Sequence, residues 1–541
     1  MIKIISIPLC LEKFKMFNYI IIHTVIHITS TQFIQLIMKK VFFPLLLMVA
    51  VTACTKDNAV VVPNNPVLTI EGGQVQGVFA DDHPDVYVYR GIPYAAPPIK
   101  ENRWKEPLPI VHWTGVKICD TFGHPSYQHI QYPGGYYTEW GYGKEAPFSE
   151  DCLYLNVWTK APGETTKKLP VALWIHGGGY REGWGSEPEF DGQEWGAKDV
   201  VLVSINYRLG IFGFLNHPAL AAESPHKVSG NYGILDQIEA LKWIKKNIEQ
   251  FGGDPDNVTI FGQSAGGGSV RTLCESPLAR GLFHKAVIMS AGGLTLPNPD
   301  ARGMFPGRFG GGTPAEMAAM TKKIFDWAGL TDLEKMRSAS TETVFALPTI
   351  YGQATGKPAF MMMMPTVDGY VSEKSFDDAT REGTLADVPY MIGYTLNDLG
   401  MMGGGIAEFC KVRESKGGKA WAYEFARPLP DDGSHPEVTV RLKGAFHSSD
   451  LWYVFKSMKH CWRPWTQGDW DLSEKMLTAW TNFAKYSDPN GPDGGDWAPC
   501  TTENPGFMVF KLDENNADAS FFGEPEVGPQ QEFNFEGFFK R

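Results

Sequence analysis

Short apolar runs recur along the chain from Pro66 onward, and most of them are continuous instead of alternating with polar residues. Continuous runs are typical of strands that are covered on both faces. Helical stretches such as Leu235 to Gln250 lie between them, and strands that alternate with helices predict a parallel sheet. The pattern therefore predicts an α/β fold with a large, mostly parallel central sheet and helices on both faces. The clearest runs are VALWIHG (171–177), VVLVSINYR (200–208), VTIFGQS (258–264), KAVIMSA (285–291) and VPYMIGY (388–394).

The first stretches after Pro66 have a different pattern, because their apolar and polar residues alternate. LTIEGGQVQGVF (68–79) and DVYVYRGIPYA (85–95) show this alternation, with glycines between them. Alternation is typical of strands with one exposed face, and glycines favour tight turns. We expect a small N-terminal antiparallel hairpin that leads into the main sheet.

The residues before Pro66 have the character of a targeting sequence. Met38 begins a short basic segment, and the apolar run from Val41 to Val51 is too short to span a bilayer. The string VTAC (51–54) resembles a bacterial lipobox, in which the signal is removed before the cysteine and the thiol carries diacylglycerol. We expect 38–53 to be a lipoprotein signal peptide, Cys54 to be the lipidated residue and 54–65 to be a tether.

An ordinary secretory signal with an incidental cysteine is the alternative, and either signal predicts export to the bacterial cell envelope. Residues 1–37 are expected to be a misassigned upstream start without folded structure. The alternative for them is a membrane helix from about Phe17 to Ile37, which His23 and His27 would make costly. We expect contact with the membrane through the lipid anchor only. Residues 66–541 hold no long linker or repeat and are predicted to form a single domain.

Composition limits the partners of this chain. Of its 541 residues 20% are charged and 43% are hydrophobic. The hydrophobic fraction is enough for a large core. Asp and Glu number 61 against 49 Lys and Arg, and the net charge of −12 disfavours binding to nucleic acid. Apart from Cys10 and Cys54 the cysteines form no CxxC pair, so the pattern supports no zinc site and leaves their pairing open. They are Cys119, Cys152, Cys274, Cys410, Cys461 and Cys500.

The first motif with a chemical meaning lies where the run VTIFGQS ends. Residues 262–266 are Gly-Gln-Ser-Ala-Gly, placed between a predicted strand and a segment that can start a helix. In this context the small flanking residues allow a sharp, strained turn that exposes the serine Oγ. Ser264 is therefore the predicted nucleophile. A glycine-rich turn with an incidental serine is the alternative.

A second glycine-rich motif weakens that alternative. His176-Gly177-Gly178-Gly179 follows the run VALWIHG, and glycines let backbone N–H groups approach the oxyanion that forms during acyl transfer. We expect the N–H groups of Gly178, Gly179 and Ala265 to form an oxyanion hole. A phosphate-binding loop fits less well, because neither GK[ST] nor GxGxxG spacing is present at this point.

The partners of such a serine follow it in the order acid, then histidine. His447 lies in the glycine-bearing loop KGAFHSSD and is the predicted base, with His435 and His460 as alternatives. Asp398 follows the run VPYMIGY and is the predicted acid that orients the imidazole. Asp368, in the turn-like PTVDG, is the alternative acid.

Together these motifs resemble the type-B carboxylesterase and lipase family of the α/β-hydrolases, which includes bacterial p-nitrobenzyl esterases and the cholinesterases. The resemblance extends over about residues 66–510. It implies an α/β-hydrolase fold and a serine carboxylesterase with a triad of Ser264, His447 and Asp398. The stretches that carry it are FGGDPDNVTIFGQSAG (251–266), EDCLYLNV (150–157), RGIPYAAPP (90–98), NYRLGIFGFL (206–215), GNYGILDQ (230–237) and SPLARGLFHKAVIMSAG (276–292).

Several positions depart from the pattern of that family. The family usually has Glu before the nucleophile, and Gln263 removes this buried charge, which weakens any expectation of cationic substrates. The family acid is usually Glu followed by Gly, whereas here Asp398 is followed by Leu399. Asp450 replaces a Glu of the histidine loop, and the resemblance implies a supporting role for it behind His447.

The resemblance also implies a disulfide. The family cysteine that pairs with Cys152 falls near Ser126 in this chain, in FGHPSYQ. Cys119, seven residues earlier, is the substitute that the resemblance suggests. We therefore expect a bridge between Cys119 and Cys152.

The sequence thus predicts a serine carboxylic-ester hydrolase that acts on small to medium esters through an acyl-enzyme, with no metal or organic cofactor. A non-catalytic adhesion or binding module of the same fold is one alternative, as the neuroligins are, but Ser264 and His447 are both present. A long-chain lipase is the other, and it needs an amphipathic lid. The stretch from Phe122 to Gly143 is aromatic and Gly-rich without a helical stripe, which disfavours a lid.

Overall fold

The structure is a computed structural model, and it describes residues 65–130, 136–140, 147–296, 313–356 and 364–530. Strands alternate with helices through most of these residues, as the apolar runs predict. The strands are β1 (Leu68–Ile70), β2 (Gly73–Gln76), β3 (Val78–Phe79), β4 (Tyr87–Pro93), β5 (Val116–Ile118), β6 (Tyr154–Thr159), β7 (Leu169–Ile175), β8 (Val201–Ile205), β9 (Gly253–Gln263), β10 (Lys285–Met289), β11 (Tyr390–Thr395), β12 (Ala420–Phe425), β13 (Phe507–Phe510) and β14 (Phe521–Gly523).

The α-helices of the described residues range from single turns to twenty residues. They are α1 (Tyr136–Glu139), α2 (Gln193–Ala197), α3 (Gly210–Phe214), α4 (Pro218–Glu223), α5 (Tyr232–Asn247), α6 (Ala265–Glu275), α7 (Pro314–Trp327), α8 (Leu333–Ser338), α9 (Thr341–Thr355), α10 (Phe376–Glu382), α11 (Gly403–Ser415), α12 (Pro436–Thr439), α13 (Leu451–Val454) and α14 (Gln467–Tyr486).

Eleven strands form one mixed sheet in the order β14-β13-β12-β11-β10-β9-β7-β8-β6-β4-β3. The strands from β8 to β13 pair in parallel, and antiparallel pairs lie at the two ends of the sheet. The predicted α/β fold with a mostly parallel central sheet is therefore confirmed. Since parallel strands end at one edge, the loops after β7, β9 and β11 meet there.

The central strands bury side chains on both faces. In β7, Val171, Leu173 and Ile175 enter the core on one side, and Ala172 and Trp174 enter the core on the other. Helices α5 and α6 cover the first side and α14 covers the second. The continuous apolar run of β7 follows from this double burial, because neither face meets water.

The predicted N-terminal hairpin is present as β1 and β2, which pair antiparallel with Leu68 opposite Val75. These strands form a separate small sheet, in which β5 adds parallel to β2. The alternating stretch 85–95 supplies β4, which belongs to the main sheet. The sequence pattern did not predict β5, since it is only three residues long and two of them are exposed.

The expectations for the upstream start, the signal peptide, Cys54 and most of the tether concern residues 1–64, which lie outside the described residues. The alternative membrane helix from Phe17 to Ile37 lies there too. Across the described ranges, no helix has the length and apolar character that crossing a bilayer requires.

Candidate active site

Ser264 occupies a sharp turn between a strand and a helix. Strand β9 ends at Gln263 and α6 begins at Ala265, so Ser264 alone makes the turn. Its φ of 57° and ψ of −122° lie in a region that residues with a side chain rarely adopt. Its N–H donates to the Met289 carbonyl at 2.9 Å, and its carbonyl accepts from the Gly268 N–H at 2.9 Å. Both bonds hold the strained conformation that the Gly-x-Ser-x-Gly motif predicts.

The second glycine of that motif is required by close packing. A Cβ on Gly266 would lie 2.0 Å from the carbonyl oxygen of Ile175, the last residue of β7. Only a residue without a side chain lets α6 start this close to the neighbouring strand. The helix N-terminus is thereby brought next to the loop that follows β7.

That loop contains the His-Gly-Gly-Gly motif, and it lies beside the serine. The Cβ position of Gly177 is 3.2 Å from the Cβ of Ser264. Gly178 has φ of 95°, and a Cβ on it would lie 2.0 Å from the Glu182 carbonyl. The carbonyl of Gly178 accepts from the N–H groups of Arg181 and Glu182 at 3.0 and 3.1 Å, which closes a tight turn.

Two polar side chains hold this turn in place, one from a distant segment and one from the same loop. Gln128 accepts from the Gly183 N–H at 2.7 Å and donates to the Gly183 carbonyl at 3.1 Å. Glu187 accepts from the Trp184 N–H at 2.8 Å. Burial lowers the pKa of His176 to about 4, so this histidine is neutral behind the glycines. Sequence reasoning missed Gln128, because a side chain that binds backbone 55 residues away leaves no pattern, and it also missed Glu187, which binds its own loop.

His447 and Asp398 form a short buried pair. The Nδ1 of His447 is 2.6 Å from Oδ1 of Asp398, and the two residues are 4% and 0% exposed. Two segments bring them together: the loop after β11, and the loop before α13. These segments meet at an isolated parallel bridge between Asn397 and Phe446. The structure thus places the predicted base and acid in contact.

The carboxylate of Asp398 is fixed on several sides. Its Oδ2 accepts from the N–H of Thr395 at 3.2 Å and from the Thr395 hydroxyl at 3.1 Å, and Oδ1 accepts from the Leu399 N–H at 2.7 Å. Burial alone would raise its pKa, but the facing imidazole of His447 and the hydrogen bond from the Leu399 N–H hold the pKa below its ordinary value. Asp398 is therefore ionised and able to orient His447.

Gln263 and Asp450 also lie close to His447. The Nε2 of Gln263 is 3.3 Å from the Nε2 of His447. Asp450 is fully buried, and its Oδ2 accepts from the Tyr423 hydroxyl at 3.2 Å. Burial and the nearby charge of Asp398 raise the pKa of Asp450 to about 7. The predicted supporting residues thus lie around the imidazole.

The alternative histidines and the alternative acid lie elsewhere. His435 is 3.1 Å from Glu437, and the exposed His460 is 3.1 Å from Asp191. The carboxylate of Asp368 accepts from the N–H groups of three following residues and from the Asn231 side chain. Asp368 therefore stabilises its own turn, as its setting in PTVDG suggested.

The expected disulfide is not formed, because Cys119 and Cys152 are both free buried thiols. The thiol of Cys119 donates to the Lys117 carbonyl at 3.7 Å, within its own strand segment. Cys152 instead contacts the side chain of Ser126, and burial raises its pKa. Ser126 also accepts from the Leu209 N–H at 3.1 Å. The Ser126 hydroxyl therefore contacts Cys152, where the prediction expected the sulfur of Cys119.

The described residues contain no cluster of three or more histidine, cysteine or acidic side chains that could hold a metal ion.

The chain is similar to known proteins of one family. The model of the carboxylesterase family matches residues 64–404 and 401–525. A carboxylesterase structure from Geobacillus stearothermophilus superposes with a TM-score of 0.67 at 29% identity, over 84% of this chain and 97% of that chain. A PNB esterase structure gives a TM-score of 0.67 at 26% identity, over 85% and 97%.

Two relatives are similar in sequence. The fumonisin B1 esterase of Sphingopyxis macrogoltabida is 34% identical over 389 residues, which cover 69% of this chain and 65% of that protein. The para-nitrobenzyl esterase of Bacillus subtilis (strain 168) is 36% identical over 336 residues, covering 61% and 63%. The chain thus spans slightly less than two thirds of the length of these curated relatives.

Proposed function

The chain belongs to the carboxylesterase family, and from this premise we propose that it is a serine hydrolase of carboxylic esters that works through an acyl-enzyme. The observation that carries the proposal is the buried pair of His447 and Asp398, 2.6 Å apart, at the sheet edge where Ser264 makes its turn. A serine, a base and an orienting acid are the groups that acyl transfer requires.

In the first half of the reaction, the Oγ of Ser264 attacks the ester carbonyl carbon while Nε2 of His447 takes the hydroxyl proton. The N–H groups of Gly178, Gly179 and Ala265 donate to the oxyanion, and Asp398 stabilises the imidazolium. The bond from the carbonyl carbon to the alcohol oxygen then breaks, and His447 gives its proton to the departing alcohol.

In the second half, water attacks the acyl-enzyme and gives a proton to His447. The ester bond to Ser264 breaks, the serine oxygen regains that proton, and the acid leaves. Ester and water are therefore converted to acid and alcohol, and the enzyme returns to its starting state.

Small to medium esters are the proposed substrates. The names of the relatives refer to fumonisin B1 and para-nitrobenzyl esters, so varied alcohols occur among similar proteins. Because Gln263 is neutral, nothing at this position selects a cationic alcohol. In the described part of the stretch 122–143 the only helix is the single turn α1, which provides no amphipathic lid of the kind a lipase needs.

Hydrolysis of p-nitrophenyl acetate, butyrate and laurate by the full chain tests the proposal. Ser264→Ala should reduce kcat/KM by more than about 10³-fold. Ser276→Ala is the matched control, because the Ser276 hydroxyl is buried without a partner near the end of the same helix. We expect this control to retain activity.

A fluorophosphonate probe gives a second readout that needs no chosen ester. Labelling of the wild type but not of Ser264→Ala would support a nucleophilic Ser264 even if all three esters were poor substrates. A folded protein that neither turns over an ester nor reacts with the probe would favour the binding-module alternative. Faster turnover of laurate than of acetate and butyrate would favour a lipase.

We also propose export to the bacterial cell envelope with a lipid anchor on Cys54. The lipobox-like string VTAC (51–54) supports this proposal. Labelled palmitate should enter the wild type and not Cys54→Ser, and the variant should leave the membrane fraction. Equal labelling of both proteins would contradict the anchor.

A further inference from the structure

We infer that the strap, residues 524–530, positions the acid and the base of the proposed reaction by fixing the side-chain amide of Asn397. The inference rests on the proposed function for the roles of Asp398 and His447. The strap follows β14 and reaches the loop after β11, which carries Asp398. It is therefore placed to control the loop that holds the acid.

Contacts at the carboxyl ends of neighbouring strands fix the path of the strap. Lys511, directly after β13, pairs with the carboxylate of Glu526. The N–H of Glu526 donates to Oε1 of Glu424 in β12 at 2.8 Å, and Oε2 of Glu424 accepts from the Tyr394 hydroxyl in β11. Glu424 is fully buried, so its carboxylate is a fixed anchor. The strap therefore crosses the ends of β13 and β12 before it reaches the loop after β11.

The far end of the strap binds the asparagine that precedes the acid. The carbonyl of Pro529 accepts from Nδ2 of Asn397 at 2.8 Å. At the other tip of the same amide, Oδ1 accepts from the N–H of Ala445 at 2.9 Å. Because Ala445 lies two residues before His447, one amide joins the strap to the loop that carries the base.

These two partners select one orientation of the amide. A carbonyl can only accept and a main-chain N–H can only donate, so Pro529 requires the NH₂ group and Ala445 requires the oxygen. If the Asn397 amide turned over, both hydrogen bonds would be lost together. Without the strap the amide is held at one tip instead of two, and the bond to Ala445 is weakened.

Two glycines leave room for this arrangement. A Cβ on Gly444, which has φ of 71°, would lie 2.2 Å from Oδ1 of Asn397. A Cβ on Gly528 would lie 3.3 Å from Nδ2 of Asn397 and 2.8 Å from Cγ of Leu396. The strap approaches the loop this closely because residue 528 has no side chain. A larger residue at 528 should therefore push the strap away from Leu396 and Asn397.

Gly528→Val tests the inference, because its side chain collides with Leu396 and moves the strap away from Asn397. We expect kcat for p-nitrophenyl butyrate to fall about 5- to 20-fold with KM nearly constant, since the acid and the base lose their alignment while the groups that bind the ester stay in place. Gly495→Val is the matched control. A Cβ on Gly495 would lie 2.5 Å from Oδ1 of Asn490, so this variant also crowds an asparagine, in a loop away from the site. It should keep the kcat of the wild type.

A double variant shows whether the strap acts through Asn397. Asn397→Ala removes the amide, so adding Gly528→Val to it should reduce kcat by no more than about a further twofold. Losses that multiply in the double variant would overturn the inference. An unchanged kcat in a folded Gly528→Val would also overturn it, as would an equal loss in Gly495→Val. If thermal unfolding shows that Gly528→Val does not fold, Gly528→Ala replaces it and should give a smaller loss in the same direction.

Hydrogen exchange separates this inference from the proposed function, because it requires no turnover. In peptides that contain Ala445, exchange measured by mass spectrometry should be at least about fivefold faster in Gly528→Val than in the wild type, and unchanged in Gly495→Val. Faster exchange supports the inference even if no ester is hydrolysed. Equal exchange in Gly528→Val and the wild type overturns it, whatever the activity. A wild type that neither hydrolyses an ester nor reacts with the fluorophosphonate probe contradicts the proposed function alone.

Discussion

Asn397 makes two hydrogen bonds to Ala445, one to each polar group of the Ala445 main chain. The Asn397 N–H donates to the Ala445 carbonyl at 3.0 Å, and the Asn397 Oδ1 accepts from the Ala445 N–H at 2.9 Å. Asn397 precedes the acid Asp398, and Ala445 lies two residues before His447. The two bonds therefore fix the distance between the segments that carry the acid and the base.

Loss of the side-chain bond from Asn397 to Ala445 should reduce turnover and leave substrate binding largely unchanged. In Asn397→Ala the histidine loop can move relative to Asp398, and we expect kcat to fall about 10- to 100-fold with KM nearly constant. Steady-state kinetics with p-nitrophenyl butyrate measure both constants. Asn490→Ala is the control, since the side chain of Asn490 binds both main-chain groups of Trp497 in a loop away from the site. An equal loss of kcat in both variants would contradict a specific role for Asn397.

The choice between two aspartates can be tested with one matched pair of variants. Asp398→Asn leaves an amide where a carboxylate orients and stabilises the imidazole, and kcat should fall by about three to four orders of magnitude. Asp368→Asn should change kcat less than about tenfold, because among the described residues Asp368 binds its own turn and Asn231, away from His447. Stability of both variants is measured by thermal unfolding. A large loss of kcat in a well-folded Asp368→Asn would argue against the assignment.

The glycine loop should tolerate no side chain at residue 178. Gly178→Ala places a Cβ 2.0 Å from the Glu182 carbonyl and so displaces an oxyanion donor, whose loss raises the barrier by about 2.7 to 4 kcal/mol. We expect kcat to fall about 100- to 1000-fold. Gly417→Ala is the matched control, with φ of 80° and nothing within 4 Å of its Cβ position. It should lose some stability through strain and keep full activity.

The buried carboxyl of Asp450 should make stability depend on pH. Its pKa is about 7 in the folded protein and ordinarily 3.8, so folding takes up a proton between these values. The contribution of this carboxyl to stability is complete below about pH 4, falls as the pH rises, and levels off above about pH 7. Asn at this position has no proton to take up.

Asp450→Asn should therefore gain stability relative to the wild type as the pH rises. We expect the difference in free energy of unfolding to change by about 2 kcal/mol between pH 5 and pH 8, in favour of the variant. Urea unfolding at the two pH values measures it, and other groups cancel because both proteins share them. A difference that is the same at both pH values would show that Asp450 is ionised throughout.

The main features of this fold and site follow from local patterns in the sequence. Continuous apolar runs predicted the parallel strands, and the runs of β7, β9 and β11 are followed by residues of the site. Ser264 follows the run of β9 and Asp398 follows that of β11, so chain order alone placed them at one edge. His447 was found from its loop and its position after the acid.

The features that sequence reasoning missed are contacts between distant segments. Gln128 binds Gly183 and Asn397 binds Ala445, in each case through main-chain groups that every residue possesses. Because every residue has these main-chain groups, the residue type of the partner gives no signal. No spacing of residues in the sequence could therefore indicate these bonds. The prediction of a bridge between Cys119 and Cys152 was wrong because a resemblance gives residue types and not the direction in which a thiol points.

The contact between Ser126 and Cys152 has a consequence for how this part of the fold responds to reducing agents. All six cysteines of the described residues are free, and a hydroxyl meets the thiol where a covalent bridge was expected. A fold closed in this way needs no oxidant to complete it. A thiol reductant therefore has no bond to break at Ser126 and Cys152, and this contact should persist in its presence.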